Sequence, residues 1–90
     1  MVQARTYRIR GRVQGVGYRY FAQQVALRLG VRGWMRNLPN GDVQAHGEAE
    51  SEVLDRFRVE LERGSSLARV SEVVEEDVAA DGRIGSFEIR

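Results

Sequence analysis

The sequence has 90 residues, a length that fits one small domain with a single two-layer core. An apolar fraction of 42%, a charged fraction of 30% and a single proline are ordinary for a folded globular chain and argue against disorder. The net charge of +1 argues against a basic module held to nucleic acid by bulk electrostatics, and the lack of cysteine excludes disulfides and thiolate metal sites. Without a signal-peptide pattern or an apolar run of membrane length, a cytoplasmic protein is expected.

The first predicted strand runs from Tyr7 to Val13. Its odd positions carry apolar residues and a glycine, and its even positions carry arginines: Tyr7, Ile9, Gly11 and Val13 on one face, Arg8, Arg10 and Arg12 on the other. This alternation with a period of two predicts a half-buried strand whose arginines lie on the solvent face of a sheet.

A glycine loop follows, with Gly15 and Gly17 placed before a helical pattern that begins near Tyr20. Glycines allow the backbone to turn so that successive N–H groups converge, and the first turn of a helix adds unpaired donors. The guanidinium of Arg19 would add a positive charge and a bidentate donor geometry suited to phosphate. The loop lacks both familiar nucleotide-binding motifs, so it predicts an anion site, while ordinary turn chemistry remains the alternative for the glycines alone.

The remaining pattern predicts two helices and four further strands. Apolar residues at helical spacing predict a first helix that ends at Gly30, and a second helix from about Ser51 to Arg63. Strand-like stretches over residues 31–37 and from Val43 onward flank a turn and predict a hairpin. Residues 68–78 predict a strand with a bulge at Val73 and Val74, and residues 87–90 predict one more short strand.

This order of elements predicts an α+β fold. Strand, helix, strand, strand, helix, strand packs most simply as a ferredoxin-like (βαββαβ) sandwich, with both helices on one face of an antiparallel sheet of four to five strands. No repeat or linker is visible, so residues 1–90 are expected to form one domain.

Three groups of residues outside the loop could carry chemistry. Asn37, at a strand end before a turn, is most simply a turn former, and Trp34 is most simply a packing residue. His46, the only histidine, alternates with apolar positions and is expected to be an exposed surface residue. The four carboxylates within residues 72–77 suggest a solvated strand face rather than a metal site.

Two stretches together resemble the acylphosphatase family. The first is Gly11-x-Val13-Gln14-Gly15-Val16-x-Tyr18-Arg19, and the second is Gly33-Trp34-x-Arg36-Asn37-x-x-x-Gly41-x-Val43. Length, element order and the Phe87-Glu88-Ile89-Arg90 ending also resemble that family, which has five antiparallel strands and two helices on one face. Three positions depart from the family pattern: Tyr18, Met35 and Ala49, the last of which bears on the turn into the second helix.

The resemblance implies an activity and its residues. Acylphosphatases hydrolyse acyl phosphates to a carboxylate and inorganic phosphate, with no metal or other cofactor. Arg19 would bind the phosphate together with backbone amides of the loop, whose residues are Gln14, Gly15, Val16, Gly17, Tyr18 and Arg19. Asn37 would orient the attacking water. The implied partners are a small acyl phosphate and inorganic phosphate as product and competitive inhibitor, with no nucleic acid or membrane, and the protein is expected to be a monomer.

Two other functions are compatible with the same fold. One is a regulatory module that binds phosphate without turnover, as in domains of larger hydrogenase-maturation proteins, although the presence of both Arg19 and Asn37 favours the enzyme. The other is an RNA-binding sheet that uses Arg8, Arg10 and Arg12. The strands lack paired aromatic residues for stacking on bases, which argues against RNA.

Overall fold

The computed structural model describes all 90 residues. In chain order the elements are β1 (Val2–Arg12), α1 (Tyr18–Leu29), β2 (Arg32–Asn37), β3 (Val43–Glu50), α2 (Ser51–Arg63), β4 (Arg69–Val78) and β5 (Glu88–Ile89). The five strands form one sheet in the order β4-β1-β3-β2-β5, and both helices pack on the same face of it. The predicted α+β ferredoxin-like arrangement is therefore confirmed, with β5 added at the sheet edge next to β2.

The sheet is mixed rather than wholly antiparallel. Strands β4, β1, β3 and β2 pair antiparallel, whereas β5 runs parallel to β2 through Trp34 opposite Glu88 and Met35 opposite Ile89. After β4 the chain crosses to the opposite edge of the sheet and then turns back along β2, which gives β5 the direction of its neighbour. Local alternation in residues 87–90 contains no information about that crossing.

The core lies between the sheet and the two helices. Its large, fully buried side chains come from all layers: Tyr7, Ile9, Tyr18, Met35, Leu54, Phe57 and Leu61. The hydroxyl of Tyr18 donates to the Leu61 carbonyl of α2 at 2.8 Å, so the first residue of α1 is buried without losing its hydrogen bond. Burial of a side chain of this size stabilises the fold by about 1.5–3 kcal/mol, and here it also fixes the start of α1 against α2.

The outer face of the sheet is partly covered, and the expectation for His46 is wrong. The His46 ring stacks on Trp34 with centroids 5.8 Å apart, its Nε2 lies 2.8 Å from Glu48, and its side chain is only 11% exposed. The segment between β4 and β5 covers this region, because the backbone N–H groups of Asp81 and Gly82 donate to the Glu48 carboxylate. His46 does point away from the helices, as its alternation indicates, but a distant segment removes it from solvent.

The bulge in β4 is also displaced from its predicted position. Val73 and Val74 pair in regular register with β1, and the extra residue is Ser71, opposite the Arg10–Gly11 step. Gly11 adopts a φ of 127° there and is exposed instead of lying in the core. A Cβ at Gly11 would overlap the carbonyl oxygen of Arg69, so the close approach of two backbones sets the site of the bulge.

Element boundaries differ from the predictions by a few residues. Strand β1 begins at Val2, five residues before the predicted start, and α1 begins at Tyr18 rather than near Tyr20. Ala49 lies in β3 with an ordinary backbone conformation, and α2 follows at once from Ser51. The predicted carboxylate-rich strand face exists in β4, and three of its four carboxylates, Glu72, Glu75 and Asp77, lie within ion-pair distance of arginines.

Candidate active site

The sheet brings the glycine loop and Asn37 to one end of the molecule. Strands β1 and β2 both run antiparallel to β3, so their carboxyl ends flank the start of β3. Val43, the first residue of β3, is paired with Ile9 of β1 on one side and with Asn37 of β2 on the other. The loop that follows β1 and the side chain at the end of β2 therefore meet at the same edge of the sheet.

Both glycines of the loop adopt a left-handed backbone conformation. Gly15 and Gly17 have φ values of 72° and 75°, in the left-handed region that a residue with a side chain rarely adopts. Gly17 directly precedes α1, and no side chain caps the helix. The first N–H groups of α1 consequently remain available to a ligand at the positive end of the helix dipole.

Gln14 fixes the loop to the turn between β2 and β3. Its side-chain Nε2 donates to the carbonyl oxygens of Leu38 and Asp42 at 2.8 and 2.9 Å. Because both amide hydrogens are used, only the backbone N–H of Gln14 is free to bind an anion. Leu38 is the residue after Asn37, so these two bonds set the position of the loop relative to Asn37.

The turn to which Gln14 donates is held by the carboxylate of Asp42, a residue that the sequence alone did not mark as functional. Asp42 accepts hydrogen bonds from Arg8 at 3.0 Å and from the Asn40 side chain at 3.1 Å. Burial works to raise the pKa of Asp42, but these bonds and the charges of Arg8 and Arg10 outweigh it, and the pKa is lowered. The signal for this residue would have been an acidic group directly after a tight turn and opposite an arginine strand.

Arg19 is distinguished from the other thirteen arginines by burial without a partner. Five arginine side chains make no hydrogen bond or ion pair within the protein: Arg12, Arg19, Arg32, Arg56 and Arg69. Four of the five are exposed, and only Arg19 is half-buried. A half-buried arginine whose five N–H donors have no protein partner can donate them to an anion that binds beside it.

A cavity of about 200 Å³ contains Arg19 and both left-handed glycines. Its lining residues are Val13, Gly15, Gly17, Tyr18, Arg19, Tyr20 and Ile89. Two loop residues of the predicted set, Gln14 and Val16, do not line the cavity, and Val16 packs half-buried against the core. Tyr20 and Ile89 were not expected here: Tyr20 comes from the first turn of α1, and Ile89 from the parallel strand at the sheet edge.

Asn37 carries a buried atom with no partner. Its Oδ1 has no hydrogen bond within the protein, and only two other buried side-chain atoms are in that position, Arg5 Nε and Ser65 Oγ. An unsatisfied buried acceptor is destabilising by about 1–3 kcal/mol. Asn37 lies at the same sheet edge as the loop, although it does not line the cavity that contains Arg19.

Comparison with known proteins addresses the same residues. The sequence model of the acylphosphatase family matches residues 5–89, which includes the loop, Asn37 and β5. The chain belongs to the acylphosphatase family. The activity of this family is hydrolysis of the carboxyl–phosphate bond of acyl phosphates, so the resemblance and the enzyme assignment made from the sequence are confirmed.

Individual acylphosphatases match over most of both chains. The chain is 51% identical over 65 residues to an acylphosphatase of Thermus thermophilus, covering 72% of this chain and 74% of that one. It is 39% identical over 87 residues to an acylphosphatase of Koribacter versatilis, covering 97% and 79%. A crystal structure of acylphosphatase from Bacillus subtilis superposes with a TM-score of 0.91 at 31% identity and covers 100% of this chain and 99% of that chain.

The structure contains neither a membrane-spanning helix nor a cluster of metal-binding side chains. None of the helices is long and apolar enough to cross a membrane. No group of three or more histidine, cysteine, aspartate or glutamate side chains is arranged to hold a metal ion.

Proposed function

We propose that the chain hydrolyses small acyl phosphates without a metal, with the loop from Gln14 to Arg19 holding the phosphate and Asn37 orienting the attacking water. The observation that carries this assignment is the half-buried, unpaired Arg19 in a cavity with Gly15 and Gly17. Arg19 and the free N–H groups at the start of α1 would contact the equatorial phosphate oxygens, as donors do in an oxyanion hole. Loss of one such donor costs about 3–4 kcal/mol in other enzymes.

The chemistry of the substrate explains why so few groups suffice. The leaving group is a carboxylate whose conjugate acid has a reference pKa of about 4, so it departs at neutral pH without a general acid. Phosphoryl transfer passes through a loose transition state with little bonding to the incoming water. Positioning and charge stabilisation therefore supply most of the catalysis, and a strong base is not needed.

The unsatisfied oxygen of Asn37 suits the positioning role. Oδ1 is an acceptor with no protein partner, so it can accept a hydrogen bond from water and orient the water for in-line attack. The two bonds of Gln14 to the neighbouring turn keep the loop in a constant position relative to that water.

The finer assignments form part of the same proposal. Residues 1–90 act as one acylphosphatase-like domain, as a monomer in the cytoplasm, and inorganic phosphate is both product and competitive inhibitor. Nucleic acid is not a partner, because Arg8 and Arg10 of the exposed arginine face are engaged with Asp42 and Glu72.

The test is hydrolysis of acetyl phosphate and benzoyl phosphate by the purified protein in the presence of a chelator. Arg19→Ala should lower kcat/KM by at least about 10²-fold, because it removes the charged donor to the phosphate, and should abolish inhibition by inorganic phosphate. Arg56→Ala is the matched control, since Arg56 is also unpaired but is exposed on α2.

The outcomes separate enzyme from regulatory module. Rapid turnover in chelator, lost in Arg19→Ala and retained in Arg56→Ala, supports the proposal. A folded wild-type protein that binds phosphate and hydrolyses neither substrate would favour the regulatory module, and unchanged phosphate affinity in Arg19→Ala would show that the anion binds elsewhere.

A further inference from the structure

The cavity that contains Arg19 has an apolar rim, and a bound phosphate group would not use apolar contacts. Alongside Arg19, the cavity is lined by Val13, Tyr20 and Ile89. Tyr20 is 64% exposed and Ile89 is 37% exposed, so both keep apolar surface in water in the absence of a ligand. They belong to the nine large hydrophobic residues that remain exposed, and they alone of the nine line the cavity that contains Arg19.

The two rim residues come from separate elements that are fixed to each other. Tyr20 is the third residue of α1, whose start is held by the buried Tyr18. Ile89 lies in β5 opposite Met35 of β2, and the next residue donates its backbone N–H to the Met35 carbonyl at 2.8 Å. Gln23 of α1 donates to the Phe87 carbonyl at 3.2 Å, which ties the segment before Ile89 to the helix that carries Tyr20. The spacing of the rim is therefore set by the fold.

We propose that Tyr20 and Ile89 form the subsite for the acyl group, and that the preferred substrates are acyl phosphates with a bulky apolar acyl group, aromatic or branched. The inference rests on the proposed function and extends it to the part of the substrate that the phosphate loop does not contact. With the phosphate at Arg19 and the loop amides, the acyl group extends from the phosphate toward the cavity mouth, where the apolar contacts are. A phenyl ring would cover the exposed faces of both side chains, whereas the methyl group of acetyl phosphate is too short to span them.

The experiment compares benzoyl phosphate with acetyl phosphate in the full-length protein. Tyr20→Ala and Ile89→Ala should each lower the ratio of kcat/KM for benzoyl phosphate to that for acetyl phosphate by about tenfold, with most of the change in KM, because lost apolar contacts in a specificity pocket are of this size. Tyr20→Phe should retain the ratio, since it keeps the ring and loses only the hydroxyl. Leu27→Ala is the matched control, because Leu27 is an exposed apolar residue of the same helix that does not line the cavity.

The result that would overturn the subsite is an unchanged ratio in both alanine variants, whether or not kcat/KM itself falls equally for both substrates. Inhibition by inorganic phosphate distinguishes this failure from failure of the proposed function. A wild-type enzyme that hydrolyses both substrates and is inhibited by phosphate, with the ratio unaffected by Tyr20→Ala and by Ile89→Ala, would refute the acyl subsite alone. A wild-type protein that hydrolyses neither substrate would refute the function on which the subsite rests.

Discussion

Two residues at the end of the sheet where β1 and β2 finish have polar groups without a partner. Nearly all other buried polar groups of the protein are paired. The half-buried Arg19 has no partner for its guanidinium, and Asn37 keeps Oδ1 buried with none. The unsatisfied Oδ1 of Asn37 opposes folding, and both residues lie at the end of the sheet where the glycine loop is. A phosphate beside Arg19 and a water beside Asn37 would satisfy both groups, which is the physical link between the local instability of the site and its proposed chemistry.

Substitution of Asn37 separates water positioning from phosphate binding. Asn37→Ala should lower kcat by about 10²-fold or more, because a water that is free to turn seldom attacks in line. The inhibition constant for inorganic phosphate should change little, because Arg19 and the loop are intact. The measurement is steady-state kinetics with phosphate as inhibitor. Near-normal kcat would exclude Asn37 from the reaction.

At the scale of elements, the site depends on a connection between a loop and a turn. The loop after β1 and the turn after β2 are separate segments, and Gln14 joins them with two hydrogen bonds to the Leu38 and Asp42 carbonyls. Asp42 in turn is held by Arg8 and Asn40. Because the glycine loop and Asn37 belong to different segments, their relative position is only as constant as this connection.

Removal of the Gln14 side chain should therefore loosen the site without removing any group that binds substrate. Gln14→Ala should lower kcat/KM by about 10- to 10²-fold, since a displacement of the order of 1 Å at a catalytic site has effects of that size. The comparison is Gln44→Ala, which removes a glutamine on the outer face of the sheet that bonds only to Arg36. Equal activity in the two variants would show that the loop holds its position without Gln14.

At the scale of the whole molecule, the long connection between β4 and β5 covers part of the outer face of the sheet. After β4 the chain crosses to the far edge, and Glu48 binds it through the amides of Asp81 and Gly82 while also contacting His46. Burial works to raise the pKa of Glu48, but these hydrogen bonds outweigh it, and the pKa is lowered. Glu48 lies near the carboxyl end of β3, whereas the glycine loop lies at the opposite end of that strand.

Because the pKa of Glu48 is lowered, the contribution of its contacts with this connection to stability is sensitive to acid. A carboxylate with a folded pKa below its unfolded value of about 4.3 stabilises the protein above that pH, and the contribution is lost as pH falls toward the folded pKa. Glu48→Gln should lower the free energy of unfolding by about 1–3 kcal/mol at pH 7, because the side-chain N–H group of the glutamine would then face a backbone N–H donor. Urea unfolding of both proteins should show this difference shrink below about pH 4. A difference that is constant from pH 7 to pH 3 would contradict the ionised role of Glu48.

The sequence by itself determined the features that depend on neighbouring residues. Alternation predicted Tyr7 and Ile9 on the buried face and Arg8 on the outer face, the glycines predicted a turn between β1 and α1, and Gly30 predicted the end of α1. The paired loop and hairpin motifs were sufficient for the family and the activity, because the residues that carry the resemblance lie in two short, continuous stretches.

Only the tertiary structure decided the features that arise where distant segments meet. The burial of His46 depends on a segment some 35 residues further along the chain, and the position of the bulge depends on the approach of Arg69 to Gly11. The parallel pairing of β5 likewise brings Ile89 to the rim of the cavity beside Tyr20. Periodicity reports which face of a strand a residue occupies, but not what covers that face, because coverage is set by packing between elements.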